Sequence, residues 1–518
     1  KKHEMRGGER VRNLSKLIFQ RVVGVSLAIL LQIIFVLAGM SWLYEYRRWL
    51  GAAMGILSWV AVIGIICGRS NPSYKIAWIV LILAFPVAGL TVYLLFGGNK
   101  VSSHETRKMA SVERVTTNAL RQDPAVLAAI EARQDEAYNH ARYLLSCAHY
   151  PAYAHSQATY FSGGEDCFAA MLEELERAQH YIFLEFFIIG RGRMWDSIRA
   201  ILVRKAAQGV DVRVLYDDFG CITRLPMGYA KKLGELGIRA HAVNPYLPIL
   251  SGRLNNRDHR KLMIIDGRAA FTGGVNLADE YINVTHPYGH WKDCGILVRG
   301  EAAWSMAAMF LSFWGYVDRQ TEDITPFCAP AAGLPSDGFL QPFADSPLDR
   351  ENVGATIFQS LIRSARNYVW IMTPYLILDD EMTSALCTAA RTGIDVRIVT
   401  PGVPDKWYVH AVTRANYEAL TEAGVKIYEY TPGFIHSKVC LADGRYALVG
   451  TVNLDFRSLY LHFEDGVYLC GSSAIDDVYA DFEETFPKCE LITYAACKHT
   501  RIHQRLLRTL LRLFSPLL

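Results

Sequence analysis

Two short stretches of this chain carry residue types at a spacing that can do chemistry. Histidine and lysine stand two apart and are followed, after four residues, by aspartate: once as His259, Lys261 and Asp266, and again as His436, Lys438 and Asp443. On a strand, side chains alternate between faces, so the imidazole and the ammonium of each motif point the same way and the residue between them points elsewhere. Seven to ten residues beyond each aspartate lies a Gly-x-x-Asn element, Gly273 to Asn276 and Gly450 to Asn453. Small residues there allow close backbone approach, and the Asn276 and Asn453 amides can donate to an oxyanion. Lysine and asparagine donors suit a phosphate group, and a histidine beside them can attack phosphorus or move a proton near neutral pH. One such motif is chance or core packing; two in register are a signal. Asp266 and Asp443 either take a direct chemical part or shape the loop after the motif strand.

The elements that position these residues also come twice. Residues 179–190, 209–220, 233–245 and 258–277 are repeated in order and spacing by 367–378, 393–402, 420–432 and 435–454. Within each copy, β-branched runs such as Val210 to Leu215 and Val396 to Thr400 follow amphipathic stretches such as Met194 to Gln208 and Glu381 to Thr392. Alternating helix and buried strand predicts an α/β sheet with helices on its faces. Two similar halves pack most simply about a pseudo-twofold axis, which brings equivalent residues into one cleft. The reading is a membrane anchor over 1–98, a helical linker over 99–150, a first domain over 151–325, a linker over 326–344, a second domain over 345–500 and a basic amphipathic helix over 501–518.

Of the 518 residues, 51% are apolar and 20% charged, which excludes a disordered chain and leaves enough for two domains and more. Mean hydropathy is slightly positive at +0.12. The excess comes from three uncharged runs, Val22 to Leu43, Leu50 to Cys67 and Ile76 to Phe96, each long enough to cross the roughly 30 Å of a bilayer core as a helix. Basic residues before the first run place the N-terminus in the cytoplasm. Three crossings then put the catalytic part outside, whereas eleven cysteines without a CxxC pair fit a reducing compartment, so sidedness stays open. The 54 basic and 51 acidic side chains are too balanced for a protein that coats nucleic acid. In the tail, Arg501, Arg505, Arg508 and Arg512 stand opposite Leu506, Leu507, Leu510 and Leu513. That pattern fits either a surface helix on its own domain or one that meets anionic headgroups.

The doubled motif resembles that of the phospholipase D superfamily. Within it the sequence is similar to bacterial cardiolipin synthases, on residues 76–97, the His259-Arg260-Lys261 context, 450–458 and the terminal 515–518. The resemblance implies two tandem α/β/α domains behind transmembrane helices in the bacterial cell membrane, and a reaction that joins two phosphatidylglycerol molecules into cardiolipin with release of glycerol. It implies that His259 attacks to form a phosphatidyl-histidine while His436 protonates glycerol and then takes a proton from the second phosphatidylglycerol. Lys261, Lys438, Asn276 and Asn453 hold the phosphate, with no metal and no cofactor. Hydrolysis by water and an inactive lipid-binding scaffold are the alternatives, and the oligomeric state stays open. Two departures stand out: Asp258 and His462 occupy positions where asparagine is common. Arg457 and Ser458 fall where the resemblance suggests support of the active site, and Glu185 ends a strand that can reach the cleft.

A histidine acting as nucleophile or acid needs its far nitrogen tied to a carboxylate or carbonyl. Aligning the copies past the asparagines sets Gly295 over Gly466 and Gly300 over Gly471, and therefore Asp293 over Glu464. Extra residues around Asn283 to Gly289 in the first copy hide this equivalence. The expectation is that Asp293 pairs with His259 and Glu464 with His436.

Overall fold

The structure is a computed structural model that describes residues 30, 31, 34, 47–68, 71–97, 103–245, 256–320, 322–329, 333–349, 351–513 and 515. Seven strands make the first sheet: β1 (Ser156–Phe161), β2 (Tyr181–Phe186), β3 (Asp211–Asp217), β4 (Arg239–Val243), β5 (Lys261–Ile265), β6 (Ala269–Gly273) and β8 (Gly295–Gly300), in the order β1-β8-β6-β5-β2-β3-β4. The second sheet comprises β9 (Phe339–Asp345), β10 (Tyr368–Met372), β11 (Asp395–Pro401), β12 (Lys426–Tyr430), β14 (Val439–Ala442), β15 (Tyr446–Gly450), β16 (Glu464–Cys470) and β17 (Cys489–Ile492). Its order, β17-β12-β11-β10-β14-β15-β16-β9, repeats the first with one added edge strand. In each sheet three neighbouring strands run parallel and the first strand of the motif hairpin pairs antiparallel with the nearest of them. The stretch read as a linker ends in β9, which pairs with β16, so its last part belongs to the second sheet.

The central strands are apolar because both their faces are covered. Tyr181 and Phe183 of β2 point into a core shared by the halves, and Ile182 and Leu184 point into the outer core of the first half. In β10, Trp370 and Met372 face the shared core while Val369 and Ile371 face the outer core of the second half. Through the shared core runs a helix, Ala302–Asp318, with Ala302 to Gly315 buried all round, as a helix apolar on every side must be. The helices of the 99–150 stretch are built into these cores through Met109, Leu120, Val126, Ile130 and Leu144.

The first apolar run lies outside the described residues except for Leu30, Leu31 and Ile34. The second forms α1 (Arg47–Cys67). The third is not one helix: α2 (Pro72–Ala84) stops at Phe85, and α3 (Pro86–Val92) starts with proline in its first turn. Pro86 lacks the N–H that would continue the ladder and biases Phe85 out of the helical region, where its φ is −135° and ψ 75°. Gly89 permits the bend, since a Cβ there would meet the Leu81 carbonyl oxygen at 2.3 Å. Among the described residues no helix is long and apolar enough to cross a membrane, which corrects the expectation for the second and third runs.

Each motif hairpin closes on an Asp-Gly turn in the left-handed region, with φ of 53° and 60° at Asp266 and Gly267 and 54° and 62° at Asp443 and Gly444. The Asp266 carboxylate accepts from the backbone N–H groups of Gln179, His180 and Tyr181, each at 2.8 Å. Asp443 does the same for Arg366, Asn367 and Tyr368. Both aspartates therefore tie the hairpin to the start of the neighbouring strand, about 20 Å along the chain from the motif histidine. Asp266→Asn or Asp443→Asn should lower stability by about 1–3 kcal/mol, from acceptors replaced for several amides. Thermal unfolding should report that loss while turnover per folded molecule stays near wild type.

Candidate active site

His259 lies two residues before β5, and His436 lies between β13 (Gly433–Ile435) and β14. Strand β7 (His290–Lys292) of the first half pairs in parallel with β13 of the second, and His436 N donates to Lys292 O at 2.7 Å. On the other side, His259 N donates to Phe463 O, and Phe463 N to Arg257 O, both at 2.9 Å. Backbone bonds thus strap each histidine to the residue just before the carboxylate of the opposite half.

The carboxylate pairing is crossed. His259 Nδ1 lies 2.9 Å from both Glu464 oxygens, and His436 Nδ1 lies 2.8 Å from Asp293 Oδ2. The expected partners were the right residues in the wrong combination. Alignment of the copies identifies equivalent acids; the straps between halves decide which imidazole each one meets.

Each carboxylate is itself held. Glu464 accepts from Ser458 Oγ at 2.6 Å and from Thr451 Oγ1. Asp293 accepts from Trp291 Nε1 at 3.1 Å and from the Cys294 backbone N–H at 2.9 Å. Gly274 stands where Thr451 stands in the other copy, and a Cβ on it would lie 1.8 Å from Asp293 Oδ1. Aromatic rings wall the imidazoles: Phe187 beside His259, and Tyr281, Trp291 and Phe434 around His436, at 5.1 to 5.9 Å between centroids. Sequence reasoning missed Thr451, Trp291 and Tyr281. Trp291 stands in the repeat over His462, and Tyr281 over Ser458, so the alignment that found the acids also contained these residues.

Lys261 and Lys438 are buried and donate to the carbonyls of His259, at 2.6 Å, and of His436. The Asn276 amide accepts from Ile188 N and donates to Tyr281 Oη, each at 2.9 Å. Asn453 Oδ1 is buried without a partner among the described residues. Asp266 and Asp443 are not brought to the site, which removes them from the residues that meet a substrate. Glu185 lies behind it: Arg260, pointing away from the cleft between His259 and Lys261, pairs with Glu185 at 2.6 Å and Asp258 at 3.1 Å. Arg457 lies within electrostatic reach of Asp455 and Arg257.

A family model described as "Cardiolipin synthase, PLD-like domain" matches residues 171–289 and 358–486, and one described as "Phospholipase D-nuclease N-terminal" matches 56–98. Cardiolipin synthase of Geobacillus thermodenitrificans is 34% identical over 499 residues, covering 94% of this chain and 98% of that protein. The chain belongs to the cardiolipin synthase family. An uncharacterized protein of Streptococcus mutans is 40% identical over 447 residues, 86% of this chain and 96% of its own length. Among solved structures, phosphatidylserine synthase of Haemophilus influenzae shares the fold at 15% identity, with a TM-score of 0.54 over 73% of this chain and 98% of that one. Membership in the cardiolipin synthase family makes this chain a phosphatidyltransferase of the phospholipase D superfamily.

Against that family background, His462 is the departure that touches the site. Its counterpart Trp291 donates to Asp293; His462 Nδ1 lies 3.7 Å from Glu464 Oε1, and neither ring nitrogen has a hydrogen-bond partner among the described residues. His259, His462 and Glu464 bring ligand-type atoms within 4.8 Å of one another, a grouping no spacing in the sequence suggested. Glu464 is already held by His259, Thr451 and Ser458, and the Lys261 ammonium adds positive charge beside it, so the grouping reads as a hydrogen-bond network.

Burial pulls His259 down to about 3 and His436 to about 4, against the opposing pull of their carboxylates. Burial alone would push Glu464 and Asp293 up, but the imidazoles beside them hold both below the usual carboxylate range. At neutral pH both rings are therefore neutral, with Nδ1–H donated to an ionised carboxylate and Nε2 left to meet a substrate. Burial also lowers Lys261 to about 8 and Lys438 to about 7. All four are bases whose folded values lie below their unfolded ones, so the unfolded chain binds more protons and stability rises with pH. The histidine contribution is fully present above about pH 6.5 and is lost as pH falls toward 4. Denaturant midpoints of the unliganded protein should fall between pH 7 and 5, and the slope should flatten in a His259→Asn/His436→Asn double variant.

Proposed function

We propose that this phosphatidyltransferase joins two phosphatidylglycerol molecules into cardiolipin and glycerol. The observation that carries the reading is the pair of imidazoles, each with Nδ1 held by a buried carboxylate, above two buried lysines. Displacing glycerol from a phosphodiester needs one nucleophile, one proton for the leaving alkoxide and donors for the non-bridging oxygens. Two motifs supply one such set. His259 Nε2 attacks phosphorus; the bond to the glycerol oxygen breaks as His436, charged when the anionic substrate is bound, gives that oxygen its proton. The hydroxyl of the second phosphatidylglycerol then gives its proton to His436, its oxygen bonds to phosphorus, and the phosphorus–nitrogen bond breaks. Lys261, Lys438, Asn276 and Asn453 hold the phosphate oxygens, and Glu464 and Asp293 stabilise the imidazolium that forms on each side. The apolar N-terminal region keeps the enzyme at the bilayer: Ile56, Trp59, Val60 and Ile63 of α1 are exposed large apolar residues, which lipid would cover.

Purified full-length protein given phosphatidylglycerol alone should yield cardiolipin and glycerol in equal amounts. Phosphatidic acid as the main product would make water the acceptor and overturn the synthase reading. The two histidines should also separate chemically. With a substrate whose leaving group needs no proton, His436→Ala and Asp293→Asn should still accumulate lipid on His259, whereas His259→Ala and Glu464→Gln should not. Mass spectrometry of the quenched adduct locates the bond, and an adduct on His436 would invert the assignment.

A further inference from the structure

The tail helix α4 (Ile502–Leu513) leaves its apolar face outward. One edge of it meets its own domain. Arg505 pairs with Glu418 at 2.8 Å, Arg508 donates to Thr500 at 3.3 Å, and Leu511 packs beside Val409, Val412 and Phe456. The side away from the protein is apolar: Ile502 is 81% exposed, Leu506 62% and Leu510 51%. A helix that leaves three large aliphatic residues outward has an unfilled apolar face, and the neighbouring surface says what fills it.

The helix packs against α2, the broken apolar segment next to α1, as well as against the Trp407–Glu422 helix of the second half. Ile76, Val80 and Leu83 of α2 are also exposed. The start of α2 is tied to the same part of the second half, through Asn71 Nδ2 donating to Asp379 Oδ2 at 3.0 Å and Tyr460 donating to the same carboxylate oxygen. Next along this side comes Trp407, 67% exposed, beside Lys406, whose ammonium lies 5.6 Å from the Tyr375 ring. Tyr375 packs on Phe434 and Phe434 on His436, so Trp407 belongs to the rim of the cleft. Apolar anchor, tail helix and cleft rim therefore share one side of the molecule. Exposed Arg501 and Arg512 flank the aliphatic face of the helix, as in helices that lie in an anionic interface.

We propose that Ile502–Leu513 is an in-plane membrane element whose Ile502, Leu506 and Leu510 face is sunk into the acyl boundary of an anionic bilayer beside α2, holding the Trp407 rim against the lipid surface. The role rests on the lipid-substrate reading; the contact itself does not. A substrate whose acyl chains remain in the bilayer then needs to lift only its headgroup into the cleft.

The test uses the full-length protein in vesicles of phosphatidylglycerol and phosphatidylcholine, with the photocrosslinking residue p-benzoylphenylalanine placed at Leu506, at Leu510 or, on the domain-facing side, at Leu511. Irradiation should join lipid to positions 506 and 510 and not to 511. A dimer band from 506 and 510, or no lipid adduct at either, would overturn the proposal by giving the face to a second copy or to water. A Leu506→Asp/Leu510→Asp variant should lose about tenfold in turnover on vesicles and recover in mixed micelles, because only a bilayer asks the helix to seat. Equal turnover of variant and wild type on vesicles would also overturn it. Lipid adducts at 506 and 510 in a protein that makes no cardiolipin would uphold the docking and reject the transfer reading instead.

Discussion

Everything at the centre of this molecule depends on hydrogen bonds that cross between the two halves. His259 takes its carboxylate from the second half and His436 takes its own from the first. Neither half contains a complete imidazole–carboxylate pair, so the repeat cannot be read as two autonomous sites. Removing one member of a buried pair leaves an uncompensated group and costs about 3–5 kcal/mol, so the halves must meet before either histidine is chemically defined. The same contact explains why β7 and β13, short strands outside both main sheets, exist at all: they carry the backbone that sets the crossing.

The pseudo-symmetry is close in backbone and loose in side chains, and the differences compensate one another. Asp293 is short and rests against Gly274, with Trp291 as its donor; Glu464 is longer, and Thr451 and Ser458 fill the space and supply the donors. His462 sits where Trp291 sits in the other copy, close to its carboxylate but unbonded. Behind the site the copies diverge further. Arg260 is clamped by Glu185 and Asp258 between Phe313 and Phe463, whereas the repeat has the neutral Ser437 in its place. Phe313 belongs to the buried Ala302–Asp318 helix, so the charged cluster joins the first motif to the shared core.

The electrostatics suit an anionic ligand. Two lysines and two imidazoles are brought together in a buried place where none of them is comfortable charged, which is why all four are pulled down from their ordinary values. A phosphodiester anion arriving there favours the charged form of each. Binding of such an anion and protonation of the site are thereby coupled.

Much of this was legible in the chain itself. Periodicity marked two α/β halves, the doubled His-x-Lys located the histidines and lysines that the fold brings together, and alignment past the asparagines singled out Asp293 and Glu464 across a loop of unequal length. These are local or repetitive features, and local features survive in one dimension. What the sequence could not settle was every question about which segment meets which. Equivalence between copies says nothing about whether a histidine bonds within its own copy or across the axis, because that choice lies in backbone bridges between residues some 150 to 200 apart. The motif aspartates looked like site residues by position, yet a left-handed Asp-Gly turn sends them to the far end of the hairpin. The third apolar run met the hydropathy test for a crossing helix, while a single proline, whose effect is geometric and not hydropathic, divides it. The amphipathic tail showed two faces in sequence, and only packing against the Trp407–Glu422 helix decided that Leu511 meets the domain while Leu506 and Leu510 are left outward.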